Sequence, residues 1–205
     1  MSGDIKPLFL DGSGDCACKT AYCLNTGYAG CSVLTIIRKM REISPFVQAG
    51  SAWPDMDGLE IGQLSPAQER TQMSFWAALK SPLMISTDLS SLSNETASVL
   101  LNKDIIAVSQ DESGSAAQFI PELSQEKSYQ VWAGNLSSDR VILLLLNELN
   151  TTQQIDVPFN GIPALNKSAR YTVKDLWLGN SSRGVSKSVR LTVQSHDTKA
   201  LLFDK

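Results

Sequence analysis

The stretch Ser65–Lys80, SPAQERTQMSFWAALK, followed at once by Ser81–Ser86, SPLMIS, decides how the first half of the chain folds. Ser65 has the side chain of a helix N-cap, Pro66 stands at the first helical position, where its missing N–H costs nothing, and Glu69 falls near the capping-box position. The stretch therefore predicts a helix. SPLMIS, short and apolar between polar flanks, reads as a compact buried strand. Upstream, residues 45–51, PFVQAGS, read as a short strand running into a glycine turn, and residues 52–62 are AWPDMDGLEIG. Downstream, residues 93–102, SNETASVLLN, predict a second capped helix, and residues 104–111, DIIAVSQD, are an apolar run ending in polar residues. Alternating strands and helices imply parallel strands with crossover helices, whose functional groups gather in the loops after the strand C-termini.

On either side of this block the patterning differs. Residues 4–27 are rich in Gly, Asp, Cys and Thr and lack periodicity, which is the signature of a long loop. Residues 31–40, CSVLTIIRKM, place Val33, Leu34, Ile37 and Met40 at helical intervals, with Arg38, Lys39 and Arg41 near the end where the helix dipole favours cations. Beyond residues 111–117, DESGSAA, the chain becomes a series of short β-rich runs: YQVWAG, RVILLLLN, QQIDVPF, RYTVKDLWLG, SVRLTVQSH and KALLFDK. Separated by Asn, Gly and Ser turns, they predict an all-antiparallel domain of the sandwich type. The expected division is a parallel α/β unit over residues 1–114 and an antiparallel unit over 115–205.

Composition narrows the function. The 205 residues are 42% hydrophobic and 19% charged, with a net charge of -3, enough apolar content for a core and no basic cluster to release counterions from nucleic acid. The longest apolar run, Val141–Leu146, is far short of the ~20 residues that cross a bilayer. The opening MSGDIKPLFLDG has neither the basic nor the apolar region of a secretory leader. Five Asn-x-Ser/Thr sequons nevertheless occur, at Asn94, Asn135, Asn150, Asn166 and Asn180, out of nine asparagines. Chance would give about two, so the excess fits a secreted glycoprotein whose leader precedes these residues. Cys16, Cys18, Cys23 and Cys31 lie in one segment. An even number in that setting favours two disulfides, in any of three pairings, over a zinc site, because C-x-C-x4-C-x7-C lacks paired C-x2-C knuckles.

Chemistry then falls to carboxylates. The single histidine, His196, lies in the last hairpin and reads as a surface or turn residue rather than the base of a nucleophile. No G-x-G-x-x-G or P-loop pattern occurs, so no nucleotide cofactor is expected. Asp55-Met56-Asp57-Gly58 resembles the start of an EF-hand loop, but the later ligand spacing is wrong, and no metal is expected. An Asp-rich turn is ordinarily structural. Here Trp53 and Asp57 also lie at the mouth of a βα unit, where an apolar ring face and an acceptor suit a pyranose. Asp4, in SGDI, supplies a second carboxyl of the kind that glycosidases place across a scissile bond.

The ordered set SGDI, a C-x-C loop, AGSAWPDMDGLEIG, ERTQMSFWAALKSPLMISTDL and LLNKDIIAVSQD resembles the later part of fungal α-galactosidases of glycoside hydrolase family 27. The family's stretches run approximately W-R-x-T-G-D-I, G-G-W-N-D-x-D-M-L-E-V-G, S-x-W-A, K-S-P-L and I-x-x-x-Q-D. The likeness spans nearly residues 2–111, with a looser one at VKDLWLG. It implies the last βα units of a (β/α)8 barrel followed by a β-sandwich, and a retaining exo-α-galactosidase acting on terminal α-linked galactose of oligosaccharides or polysaccharides. It also implies Asp4 as general acid/base and Asp57 as a ligand of galactose hydroxyls, with Trp53 beside it. Pro54 replaces the family's Asn, Gly58 replaces its Met, and the family's nucleophilic Asp has no counterpart among these residues. The alternative expectation is a non-catalytic extracellular carbohydrate-binding or interaction module derived from such an enzyme.

Overall fold

A computed structural model describes residues 32–47, 53–112, 115–166 and 168–205. Helix α1 covers Val33–Ile43, with Ser32 as N-cap accepting from the Thr35 N–H and with Val33, Leu34, Ile37 and Met40 buried. The expected spacing is thus the face that packs. Pro45 and Phe46 belong to the 3-10 turn Ser44–Phe46 rather than to the expected strand, because the turn follows the helix directly and Pro45 occupies its start. Helix α2 covers Pro66–Ala78. Its capping box is closed by Gln68, three residues after Ser65, and not by Glu69, which is one position too late to reach back. Two seven-residue helices follow, α3 over Asn94–Leu100 with Ser93 as cap and α4 over Lys103–Ser109 with Asn102 as cap.

The rest is antiparallel sheet. The strands are β1 Gln118–Phe119, β2 Tyr129–Asn135, β3 Val141–Asn147, β4 Gln153–Pro158, β5 Tyr171–Asp175, β6 Ser181–Val185, β7 Ser188–Val193 and β8 Thr198–Asp204. Six of them form one sheet in the order β1-β2-β3-β8-β5-β6, and β4 pairs with β7 in a second. The two-residue β1 and the polar, exposed β6 carry no apolar alternation and could not be read from sequence.

Strand β3 explains why VILLLLN does not alternate: every residue in it is buried. Val141, Leu143 and Leu145 point into the sandwich, among Ile155, Val157, Phe159, Tyr171 and Phe203. Ile142, Leu144 and Leu146 point to the other side, into a core that includes Ile37, Met40, Phe75, Trp76 and Trp132. A strand covered on both faces reads as a continuous apolar run. The helices therefore form a third layer on the outer face of the sheet.

Polar contacts close that layer. Arg38 and Arg41 of α1 both reach the Glu148 carboxylate, which also accepts from the Gln130 amide. Arg41 lies 4.3 Å from the centre of the Phe119 ring, a cation–π contact. On α2, Arg70 makes a two-pronged pair with Asp197 at 3.1 and 2.7 Å, a planar fit that fixes register as well as charge.

Because β3 belongs to both cores, Leu143→Ala and Leu144→Ala should each cost about 2–5 kcal/mol, the usual range for a buried leucine. Each should leave a single unfolding transition in urea, followed by tryptophan fluorescence and by far-UV dichroism. Two separated transitions in Leu144→Ala would show that the helical layer unfolds independently of the sandwich.

Candidate functional site

Between Trp53 and Leu59 burial alternates: Trp53, Asp55 and Asp57 are exposed, while Pro54, Met56 and Gly58 are buried. The two aspartates and the tryptophan are thus the residues this segment presents to solvent. The segment ends in a parallel bridge between Leu59 and Ile85. The Leu59 N–H donates to the Met84 carbonyl at 2.7 Å, and the Ser86 N–H donates to the Leu59 carbonyl at 3.0 Å. Helix α2 connects the two bridged residues, so the parallel sense expected of this part is present at one bridge, without a strand on either side among the described residues. SPLMIS is not the compact buried strand expected of it. Only Ile85 pairs among the described residues, and Met84 and Ile85 are 61% and 47% exposed. Apolar character alone cannot bury a strand whose face no described layer covers.

Helix α2 also holds the acidic segment in shape. Glu69, Gln72 and Trp76 lie on one helical face, three and four residues apart, and each grips the backbone of residues 57–62. The Trp76 indole N–H donates to the Asp57 carbonyl at 2.7 Å. The Gln72 amide accepts from the Glu60 N–H at 2.9 Å and donates to the Gly58 carbonyl at 3.2 Å, standing in for a neighbouring strand. Glu69 accepts from the Gly62 N–H at 2.7 Å, and Ser81 accepts from the Met56 N–H at 3.2 Å. Sequence reading missed these residues. Their signal was a helix with polar side chains on its apolar face, since Glu69, Thr71, Gln72 and Ser74 are all buried.

Asp57 has φ +70°, a left-handed conformation that Asp tolerates better than most residues. Its Oδ1 accepts from the Gly58 N–H at 2.7 Å, and its own N–H donates to Asp55 at 3.1 Å. Both aspartate side chains are used locally, yet both residues are exposed, as is Trp53 at 55%. Glu60 is half-buried, and burial first, with the Asp57 charge second, pushes its carboxyl above the ordinary 4.5. Gly58 does not leave an open gap. A Cβ built there would lie 2.0 Å from Ser86 Oγ, so the serine fills the space a side chain would need.

Other expected groups lie elsewhere. Asp4 and the four cysteines fall outside the described residues. His196 is in a turn, as expected, but buried; its Nε2 is 2.6 Å from Asn150 Oδ1, and burial lowers its pKa. Among the described residues no group of three His, Cys, Asp or Glu side chains could hold a metal ion, and no helix is long and apolar enough to cross a membrane. All five sequon asparagines are exposed.

Comparison with known proteins gives a consistent picture. A family model described as alpha galactosidase A matches residues 30–111, and one described as the alpha galactosidase C-terminal beta sandwich domain matches residues 126–203. Alpha-galactosidase mel1 of Schizosaccharomyces pombe is 30% identical over 211 residues, covering 100% of this chain and 48% of its own length. The crystal structure of alpha-galactosidase I from Mortierella vinacea superposes with a TM-score of 0.78 at 31% identity, over 84% of this chain and 44% of that one. A Saccharomyces cerevisiae alpha-galactosidase solved with raffinose superposes with a TM-score of 0.73 at 19% identity, over 85% of this chain and 51% of that one, a likeness of fold. The chain spans from 26% to 48% of the length of the first curated relatives it matches.

Three outcomes follow from this packing and from the burial of Glu60. Gly58→Ala should destabilise the chain by about 1–3 kcal/mol through overpacking, and combining it with Ser86→Gly should recover most of that loss in thermal melts, because the two positions share one space. A carboxyl whose pKa is raised on folding favours the neutral form, so stability is fully present below the unfolded value and falls as pH rises through it to the folded value. Glu60→Gln should therefore flatten the loss of stability seen as pH rises above 4.5. In Asp57→Asn the Glu60 titration, followed by NMR, should move toward lower pH.

Proposed function

The chain belongs to the α-galactosidase family, glycoside hydrolase family 27, and we propose that residues 53–60 form one wall of a site for terminal α-linked galactose. Asp57 accepts hydrogen bonds from galactose hydroxyls, and the exposed Trp53 offers the sugar an apolar face. Asp4 serves as general acid/base of a retaining hydrolysis, protonating the leaving oxygen and then activating water. The observation that carries this reading is the left-handed, exposed Asp57, its carbonyl held by Trp76 and the next residue's carbonyl held by Gln72. Backbone strain of this kind collects at functional sites. The raffinose bound to the Saccharomyces relative supports a galactose-containing substrate.

A double displacement needs a second carboxylate as nucleophile, and the sequence offers no counterpart for it among these 205 residues. We therefore propose that the 205 residues by themselves do not turn over, and that their organisation is a partial barrel over residues 1–114 and a sandwich over 115–205. We further propose a secreted glycoprotein with disulfides among Cys16, Cys18, Cys23 and Cys31. The exposure of all five sequon asparagines supports the glycoprotein part of that reading.

The test is hydrolysis and binding measured on the same chain. With 4-nitrophenyl α-galactoside, release of nitrophenol should stay at background; turnover comparable to that of intact relatives would overturn the missing-nucleophile reading. Saturation-transfer NMR with galactose should detect binding that weakens by about ten- to a hundredfold in Asp57→Asn, as expected for a hydrogen bond to a charged group. Galactose binding that Asp57→Asn leaves unchanged would remove Asp57 from the site and favour a binding module that uses another surface.

A further inference from the structure

We infer that Asn135 is the sequon at which a glycan is seated on the protein surface, its first N-acetylglucosamine lying across a two-part groove on the sandwich. The inference rests on the glycoprotein reading above. The five sequons differ in what their amides already do. Asn150 Oδ1 is engaged by His196, and Asn166 Oδ1 accepts from the Ser168 N–H at 2.9 Å. The side-chain amides of Asn94, Asn135 and Asn180 make no hydrogen bond within the described residues. Of these three, Asn135 borders two clefts.

Two clefts of about 290 and 300 Å³ meet at Asn135 and Ala164, which line both. That is the lower end of the ~300–1,000 Å³ range for small-molecule sites, a scale suited to one sugar rather than an extended oligosaccharide. Their characters are complementary. One carries Asp139 and Lys205, an ion pair at 3.6 Å that can open to meet hydroxyls and an acetamido group. The other carries Pro163 and Ala164, which offer apolar surface to a ring face. Asn135 ends β2 on the exposed side of the strand, so a group on its Nδ2 emerges at the junction of the two. A sugar attached there borders both clefts, and tethering removes most of the entropy cost of binding.

In the attachment step, Asn135 Nδ2 forms a bond to the anomeric carbon of the reducing-end sugar. The bond from that carbon to the diphosphate of a lipid-linked oligosaccharide donor breaks, the diphosphate leaves with the electron pair, and Nδ2 gives up one proton. The sequon hydroxyl, Ser137, limits when this can happen. Ser137 Oγ donates to Asp111 Oδ2 at 2.6 Å and accepts from Arg140 Nη2 at 2.9 Å. The Asp111 side chain is 3% exposed, so in the folded protein the hydroxyl is tied into a largely buried network. Transfer therefore precedes closure of the Ser137–Arg140 turn, and the glycan settles into the groove as the strand pairs.

The experiment routes the full chain through the secretory pathway of a yeast, maps occupancy by glycopeptide mass spectrometry, and follows release by an endoglycosidase on native and unfolded chain. Asn135 should be occupied. Its glycan should be released about tenfold more slowly from the native chain than from the unfolded one, equivalent to ~1.4 kcal/mol of seating, with no such gap at Asn94 or Asn180 where they are occupied. Ala164→Arg, which crowds the junction of the clefts, should abolish the gap without changing occupancy. An empty Asn135 beside occupied Asn94 or Asn180 overturns the inference and leaves the glycoprotein reading standing. Equal native and unfolded rates at an occupied Asn135 overturn the groove. Five empty sequons overturn both this inference and the glycoprotein reading.

Discussion

A buried polar side chain must find a partner or cost the fold its desolvation, and helix α2 carries several. Its two sides spend those partners on different parts of the molecule. Glu69, Gln72 and Trp76 bind the backbone of residues 57–62, while Thr71 donates to the His196 carbonyl at 2.8 Å, Ser74 accepts from the Trp177 indole at 3.0 Å, and Arg70 pairs with Asp197. The helix thus positions the acidic segment relative to the sandwich. Moving either one leaves buried groups unpaired on the opposite side.

Strand β3 performs the same service for apolar surface. Its alternate residues enter two separate clusters, so the sandwich and the helical layer cannot part without exposing one row of leucines. The ion pairs at the seam differ in weight for a physical reason. Glu148 is 1% exposed on its side chain and shared by two arginines and an amide, so removing it strands buried groups. Arg190–Asp156, although well aligned, is exposed on both sides and contributes little to stability.

Gly58 sits where the acidic segment comes close to the segment around Ile85, and Ser86 occupies the space that a side chain there would need. Asp57 keeps its place because its main chain is held by Trp76 and its side chain by the following N–H. The carboxylate is therefore held in one orientation by its own turn, with little side-chain freedom left.

Sequence alone determined the elements whose information is local. Ser65-Pro66 starts a helix because capping needs only four adjacent residues; the spacing of Val33, Leu34, Ile37 and Met40 defines a helical face; the unbroken apolar run of β3 announces burial on two sides. The collinear motifs that mark the α-galactosidase family were legible for the same reason. Only the tertiary structure decided that Met84 and Ile85 lie exposed and that Gln68 rather than Glu69 closes the capping box. The fold also decided that His196 is buried in its turn, and that Gln72, Trp76 and Ser81 support the acidic segment. Those outcomes depend on which distant surface arrives to cover or bond a side chain. A linear pattern carries the side chain's preference, while the partner that satisfies it is supplied by the fold.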